Sequence, residues 1–346
     1  MKYKLLSVSK SNKLKEVNIG DYIQALASSQ YYPHVDGFLD RDTELKSYDG
    51  ESCKMIMNGW YMHNPENWPP SEYISPLFVA FHINSLALDK MINKECICYL
   101  KRHEPIGCRD INTMNILKKY NINAYFSGCM TLTLGKKYKT DEIDGKTYIV
   151  DPLFDIDFNI KEIILSIFHF LIYAKDIIYL LRNKGLQIHN GKNKLIKIIK
   201  TILFHKEYSR IFSRKVVMES EYICQQSKYY KDNFSTEEER LHEAERLVKK
   251  YAKAKFVITS RIHCALPCLG LGTPVIYLEK QNDIEASKCR LNGLRDLFNI
   301  IKVDKNILLP DFPTNIPITT IPKNKDDWKK FAEQLDNRCT NFIHKL

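Results

Sequence analysis

The residues best suited to chemistry in this sequence stand in the short stretch Ser260-Arg261-Ile262-His263. A guanidinium group is permanently charged and forms paired hydrogen bonds with phosphate or carboxylate, and an imidazole transfers protons near neutral pH. Either residue alone could be structural, as an arginine paired with a buried carboxylate or as a hydrogen-bonded core histidine. Arg261 and His263 together, one residue apart in an otherwise apolar region, favour a site that binds an anion.

The elements around this stretch predict where the two side chains lie. The segment FVIT (256–259) is apolar and β-branched, as in a central parallel strand, and TPVIYL (273–278) predicts the next strand. CALPCLGLG between them predicts a short helix that begins between Cys264 and Leu266, because proline fits only the first helical turn. Arg261 and His263 are therefore expected at a strand's carboxyl end beside a helix N-terminus, where open α/β sheets bind anions.

The rest of the chain alternates predicted strands with predicted helices, which is typical of a mostly parallel, doubly wound sheet. Strands are predicted at YKLLSV (3–8), CKMIMNGW (53–60), LFVAFHI (77–83), ECICYL (95–100), KTYIVDP (146–152) and RKVVMESEYI (214–223). Helices are predicted from near Asp21, after PIGCRD (105–110) and over 235–254, the last capped by Ser235 with Glu238 at the capping-box position.

A chain of 346 residues is long for one domain, so we predict two α/β domains. The first covers residues 1–150 and the second 151–323, the latter with a basic helical segment at 160–213. An amphipathic helix within 324–346 is expected to close the fold.

Cysteine usage and the N-terminus indicate the cell compartment. The ten cysteines form no CxxC pair, which is typical of a reduced, intracellular protein and gives no sign of a metal site. The first residues contain no apolar run long enough for a signal peptide, so we expect a cytoplasmic protein.

Positive charge is concentrated in one block. The net charge is +11, and residues 161–220 contain twelve Lys and Arg against four Asp and Glu. Within the segment 192–206, apolar residues recur at helical spacing among lysines; such a helix either lies on an anionic membrane surface at the inner face or packs on its own domain. The apolar segment 163–181 is interrupted by His169, Lys175 and Asp176, too much so for the sequence alone to identify a membrane span there. No motif for reading nucleic acid accompanies the charge.

Four stretches together resemble the polysaccharide pyruvyl transferase family. They are VNIGDYIQALAS (17–28), MNGWYMHNPENWPPSEYISPLFVAFHI (57–83), PIGCRDINTMNILKKYNINAYFSGCMTLTL (105–134) and AKFVITSRIHCALPCLGLGTPVIYLE (254–279). They follow the family's order across nearly the whole chain, with the weakest coverage at 155–230.

The resemblance implies a fold and a reaction. Members of this family have two Rossmann-like domains in a GT-B-like arrangement, with the active site in the cleft between them. They transfer the pyruvyl group of phosphoenolpyruvate onto two hydroxyls of a sugar in an exopolysaccharide, a capsule or a lipid-linked precursor, which forms a cyclic ketal. The family's Arg-x-His element matches Arg261 and His263, and its Arg-Asp element matches Arg109 and Asp110.

These residue types suit that reaction, which demands no metal or other cofactor. Arg109 and Arg261 would hold the phosphate and carboxylate of the donor, and His263, with a pKa near neutrality, would protonate its enol carbon. Asp110 would orient Arg109 or touch substrate.

Further candidate residues each have two interpretations. Asn18, Gly20 and Asp21 lie on the first strand-to-helix loop, where Gly20 allows a close approach and Asp21 is either a sugar ligand or a helix cap. Asn58 ends the second strand, and Trp60 either stacks on a sugar ring or belongs to the core. Two further arginines, Arg290 and Arg295, either reach the donor phosphate or lie on a solvated helix face.

Two other functions remain open at this point. A GT-B-type glycosyltransferase would use a nucleotide sugar and place an acidic residue late in the chain, for which Glu279 and Glu285 are available. A non-catalytic family member would bind glycans without turnover.

Overall fold

The computed structural model describes residues 1–8, 15–154, 160–184, 194–281, 289–304 and 307–344. Strands in these ranges are β1 (Lys2–Tyr3), β2 (Leu5–Ser7), β3 (Val17–Asn18), β4 (Phe38–Asp40), β5 (Cys53–Ile56), β6 (Gly59–Tyr61), β7 (Ile74–Leu77), β8 (Phe81–Ile83), β9 (Ile106–Cys108), β10 (Ala124–Phe126), β11 (Thr147–Val150), β12 (Glu221–Ile223), β13 (Gln226–Ser227), β14 (Phe256–Thr259), β15 (Val275–Lys280), β16 (Asn299–Asp304) and β17 (Ile307–Pro310). The α-helices are α1 (Ile19–Ser29), α2 (Leu88–Met91), α3 (Lys94–Arg102), α4 (Ile111–Lys119), α5 (Gly135–Tyr138), α6 (Ile160–Asn183), α7 (Lys194–Ile211), α8 (Arg214–Glu219), α9 (Lys228–Asn233), α10 (Glu237–Lys253), α11 (Ile262–Leu271) and α12 (Lys329–His344).

The sheets are mainly parallel, which confirms the predicted α/β class. Six strands form the C-terminal sheet in the order β12-β11-β14-β15-β16-β17, with only the edge strand β17 antiparallel to its neighbour. The N-terminal half contains a parallel four-stranded sheet, β10-β9-β8-β6, and a parallel three-stranded sheet, β1-β5-β7. This architecture is consistent with a two-domain Rossmann-like arrangement.

Three segments connect the two halves of the chain. Strand β11, at the end of the predicted first domain, pairs with β12 and β14 and therefore belongs to the second sheet. Helix α1 packs on α10 and α11, and β3 pairs with β13. Helix α12 returns to the N-terminal half, where the Phe331 ring lies 4.9 Å from the Phe126 ring. These links bring residues from both halves of the chain close to the carboxyl ends of the strands in the C-terminal sheet.

The prediction of a strand at ECICYL was wrong, because these residues lie in helix α3. Asn93 caps that helix, and its side-chain oxygen accepts from the Cys96 amide. The buried residues Cys96, Tyr99 and Leu100 recur at the i, i+3, i+4 spacing of a helix. Six residues are too short a window to distinguish the period of a helix from that of a strand.

Three other local predictions need correction. The first part of the predicted strand 214–223 is helix α8, which leaves only Glu221–Ile223 as strand β12. The capping box of α10 is formed by Thr236 and Glu239, one residue later than predicted. The regular part of helix α11 begins at Cys264, as predicted, but Pro267 is its fourth residue and lies inside the helix rather than at its start.

A side-chain hydrogen bond compensates for Pro267. A proline has no N–H to offer the carbonyl four residues earlier, here that of His263. The Gln225 side-chain amide donates to this carbonyl instead, at 3.2 Å. The proline therefore creates a fixed link between α11 and the loop before β13.

Candidate active site

Arg261 and His263 lie where the sequence predicts, directly after β14 and at the start of α11. Arg261 is the N-cap residue, and its carbonyl accepts from the amides of Cys264 and Ala265. The regular helix begins at Cys264, because His263 has non-helical backbone angles. Both side chains thus stand at the carboxyl edge of the parallel sheet.

Arg261 is held by the end of the neighbouring strand. Its Nε donates to Asp151 Oδ2 at 2.7 Å, and its Nη1 donates to Gln226 Oε1 at 3.2 Å. The Ser260 hydroxyl donates to the Asp151 carbonyl at 2.6 Å. Ser260 therefore fixes the loop, and Arg261 presents a partly exposed guanidinium in a set orientation.

His263 is buried and uncharged in this arrangement. Its side chain is 5% exposed, and Nε2 has no hydrogen-bond partner among the described residues. Burial, and then the positive charges of Arg109, Arg290 and Arg261, hold its pKa well below the usual 6.5. The expected pKa near neutrality is therefore wrong for the site as the chain alone forms it.

Arg109 is the unusual residue of the site. Its side chain is 0% exposed, and none of its three guanidinium nitrogens finds a hydrogen-bond partner within the described ranges. Burial lowers its pKa to about 10, so the group is still charged at neutral pH. A buried, unpaired charge is costly, and a ligand that pairs with it is one way to offset that cost.

Asp110 is engaged by protein groups of this region. It is completely buried, caps α4 by accepting from the Thr113 amide at 2.8 Å, and lies 2.6 Å from His82 Nδ1. These contacts favour the supporting role of Asp110 over direct contact with substrate. Burial, and then the charge of Arg109, lowers the pKa of His82 to about 4, so the histidine in this pair is neutral.

The start of α1 packs closely against His263. Asn18 is the helix cap and accepts from the Gly20 amide at 3.1 Å, so interpreting Asp21 as the cap is wrong. A Cβ on Gly20 would lie 3.1 Å from the His263 Cβ and 3.0 Å from Asn18 Oδ1, which explains the glycine. The Asp21 carboxyl accepts from Asn18 Nδ2 at 3.2 Å.

The environment of Asp21 includes three arginines. Burial raises the pKa of its carboxyl, and the charges of Arg41, Arg290 and Arg109 oppose that rise. Sequence reasoning missed Arg41, whose Nη2 lies 2.7 Å from Asp42 Oδ2. The only signal was a charged Arg-Asp pair directly after the short apolar strand β4.

Asn58 and Trp60 contact protein groups. Asn58 is buried, accepts from the Ser28 hydroxyl at 2.8 Å and donates to the Gln24 carbonyl at 3.0 Å, so it anchors α1. Trp60 is half-buried, with its ring 5.1 Å from the Arg41 guanidinium carbon. Neither contact by itself supports the prediction of a sugar site at the end of this strand.

Two cavities adjoin each other at the sheet edge. The smaller has a volume of about 180 Å³ and is lined by Asn18, Gln225, Ser260, Arg261, His263 and Arg290 among others. The larger, about 730 Å³, shares Ser260, Tyr277 and Leu291 with it and is also lined by Glu279 and Arg295. At about 30 Å³ per water molecule, the smaller suits a ligand of a few waters' volume.

The two predicted arginines after β15 differ in their partners. Arg290 is exposed and lines the smaller cavity, where it adds a third positive charge near His263. Arg295 Nε lies 2.9 Å from both carboxylate oxygens of Glu279. Arg295 and Glu279 therefore form a hydrogen-bonded ion pair. Glu285 lies outside the described residues.

Comparison with known proteins gives one positive result. Residues 18–282 match the family model described as polysaccharide pyruvyl transferase, which is more than half of the chain. Neither a curated protein nor a solved structure matches it. Among the described residues, no group of three or more His, Cys, Asp or Glu side chains is placed to hold a metal ion.

Proposed function

Because the chain belongs to the polysaccharide pyruvyl transferase family, we propose that it transfers the pyruvyl group of phosphoenolpyruvate to two hydroxyls of one glycan sugar. The product is a cyclic ketal, and inorganic phosphate is released. The observation that carries the proposal is the buried guanidinium of Arg109, which lacks a hydrogen-bond partner among the described residues and whose charge acts on His263, where Nε2 is buried with the same lack.

The charges of the site suit a small dianion. Arg109, Arg261 and Arg290 all act on His263, while the carboxylate nearest to Arg261 is already paired with it. Asp21 alone does not balance Arg109 and Arg290. A phosphate and a carboxylate on one small molecule supply the missing negative charge and accept the unused donors.

The reaction needs a proton at the donor's methylene carbon. Protonation turns the enol carbon into an oxocarbenium-like centre, and a sugar hydroxyl attacks it and loses its proton. The C–O bond to phosphate breaks, phosphate leaves with the bonding electron pair, and the second hydroxyl closes the ketal. One hydroxyl proton replaces the proton placed on carbon, and phosphate takes the other.

His263 is the proton donor in this scheme, with its charge state set by the ligand. Alone, the site keeps the pKa of His263 low, through burial and three nearby arginines. A bound dianion offsets those positive charges, so the pKa rises and the imidazole takes up a proton together with the donor. His263 is thus protonated, and able to act as the acid, only when the donor is bound.

The larger cavity is our proposal for the acceptor. Its volume of about 730 Å³ is in the usual range for ligand pockets, and it opens onto the smaller cavity through Ser260 and Tyr277. The rival nucleotide-sugar function needs a carboxylate for the ribose, and both oxygens of Glu279 are already engaged by Arg295.

Calorimetric titration of phosphoenolpyruvate tests the donor site. We expect binding to the wild type and a loss of at least tenfold in affinity for Arg261→Ala. Arg295→Ala is the matched control, because its side chain is similarly exposed and its Nε is likewise paired with a carboxylate, that of Glu279. It should bind the donor as the wild type does.

Two results would count against this function. Equal losses in both variants would show a general charge effect instead of a specific site. Absence of phosphoenolpyruvate binding, with binding of a nucleoside diphosphate, would favour a glycosyltransferase. Phosphate release with a panel of sugars then separates a catalyst from a glycan-binding member.

A further inference from the structure

Helix α6 presents its apolar side chains to the outside. Its exposed residues include Ile164, Ile167, Phe168, Leu171, Ile172, Ile178 and Tyr179. Leu171 and Ile172, near the middle of the helix, are 68% and 73% exposed. A helix on the surface of a soluble protein normally shows the reverse pattern, and a continuous apolar patch marks an interaction surface.

Three polar side chains of α6, those of Glu162, His169 and Asp176, face the protein. Glu162 Oε2 lies 2.5 Å from Lys206 Nζ, and His169 Nε2 lies 2.8 Å from His205 Nδ1. Asp176 accepts two hydrogen bonds from the guanidinium of Arg214, at 2.7 and 2.8 Å.

These three contacts fix the rotation of the helix. Residues 162 and 169 are seven apart and lie on one helix face. Asp176 follows a kink at Tyr173, and its hydrogen bonds with Arg214 hold the second part of the helix against the protein as well. With that face held by α7 and Arg214, the opposite face must point away from the protein. The outward apolar surface is therefore built into the fold.

Positive charge surrounds this surface. Lys161, Lys175 and Arg182 are exposed on α6, and Lys194 and Arg210 are exposed on α7. The acidic residues of α6, by contrast, are paired with cations of the protein body. An apolar strip bordered by cations is complementary to a bilayer with anionic headgroups.

We propose that α6 is a membrane-docking surface that lies in the plane of an anionic bilayer, with its apolar face among the acyl chains. This inference is independent of the transfer reaction. It extends to α6 the membrane contact expected for the segment 192–206, where Leu195, Ile196 and Ile198 are 65%, 41% and 40% exposed.

Two other arrangements fit the structure less well. The 24 residues of α6, which are divided by a kink at Tyr173, are enough by length and composition to cross a bilayer. A crossing would, however, remove Glu162, His169 and Asp176 from their partners on the protein. A symmetric dimer through α6 would place the cations of one copy against those of the other.

Flotation of the full-length protein with vesicles tests the proposal. We expect the wild type to float with vesicles of phosphatidylglycerol and phosphatidylcholine, and much less with phosphatidylcholine alone. Leu171→Glu/Ile172→Glu should reduce the floated fraction at least tenfold. The control Leu86→Glu alters a residue that is 90% exposed outside α6 and should float as the wild type does.

Each other outcome would overturn the proposal. A wild type that stays unbound at low salt excludes docking. A dimer in solution that the double variant separates, with no flotation, identifies a second copy as the occupant. Resistance to carbonate extraction identifies a membrane-spanning helix. Donor titration of the double variant should match the wild type, so failure here is distinct from failure of the proposed reaction.

Discussion

The site around Arg109 and the surface of α6 both depart from the usual distribution of polar and apolar groups, but in opposite directions. At the site, a guanidinium and an imidazole nitrogen are buried without hydrogen-bond partners among the described residues. On α6, large apolar side chains are exposed while acidic ones are paired inside. Each departure costs stability in the isolated chain, and each is removed by a particular ligand, an anion or a lipid surface.

The sharpest test of this comparison is Arg109→Met. If Arg109 serves an anion, its loss should lower the rate of phosphate release by about 100-fold to 1000-fold. The free energy of unfolding should stay unchanged or rise, because methionine removes an unpaired buried charge. Thermal melting and a phosphate-release assay measure the two effects.

Arg41→Met provides the matched control. Arg41 is also buried, but it is paired with the buried Asp42. Removing it leaves that carboxylate without its cation, so we expect a loss of about 3–5 kcal/mol in stability. If Arg109→Met destabilised the protein as much as Arg41→Met, Arg109 would be a structural residue.

The second test uses pH. The pKa of His82 is lowered from 6.5 to about 4, and that of His263 is also well below 6.5. A lowered histidine pKa means that the unfolded chain binds protons first as pH falls. The stability each group contributes is therefore fully present above about pH 6.5 and is lost below it. For His82 the loss from pH 7 to pH 5 is about 2 kcal/mol.

Substitution separates the two histidines. Both His82→Gln and His263→Gln should flatten the fall in urea-unfolding free energy between pH 7 and pH 5. Only His263→Gln should reduce the proton uptake that accompanies phosphoenolpyruvate binding, measured by calorimetry in buffers of different ionisation enthalpy. Equal proton uptake by the wild type and His263→Gln would exclude His263 as the group that is protonated when the donor binds.

The sequence predicts the centre of the site better than its surroundings. Arg261 and His263 were located correctly because a buried strand, a helix start and the charged pair are contiguous. The partners that tune them are remote: Asp151 is 110 residues from Arg261, and Gln225 is 38 from His263. Local patterns contain no information on such pairs.

Orientation is the other property that local patterns did not determine. The apolar residues in the sequence of α6 do not indicate which face of the helix is buried. They also do not indicate that its acidic side chains face the protein. The contacts of Glu162 and Asp176 with Lys206 and Arg214 decide it, and those partners stand on later helices. The position of Asp110, buried on His82, was hidden for the same reason.

The smallest expected effect belongs to Ile172→Glu. Ile172 is 73% exposed and Ile177, on the same helix, is 0% exposed. In water Ile172→Glu should change the free energy of unfolding by less than about 0.5 kcal/mol, whereas Ile177→Glu should cost several times more, because it buries a carboxyl. Urea unfolding without lipid measures both. A large loss in Ile172→Glu would mean that the outer face of α6 is covered in the free protein, and the contrast between the two regions would then fail.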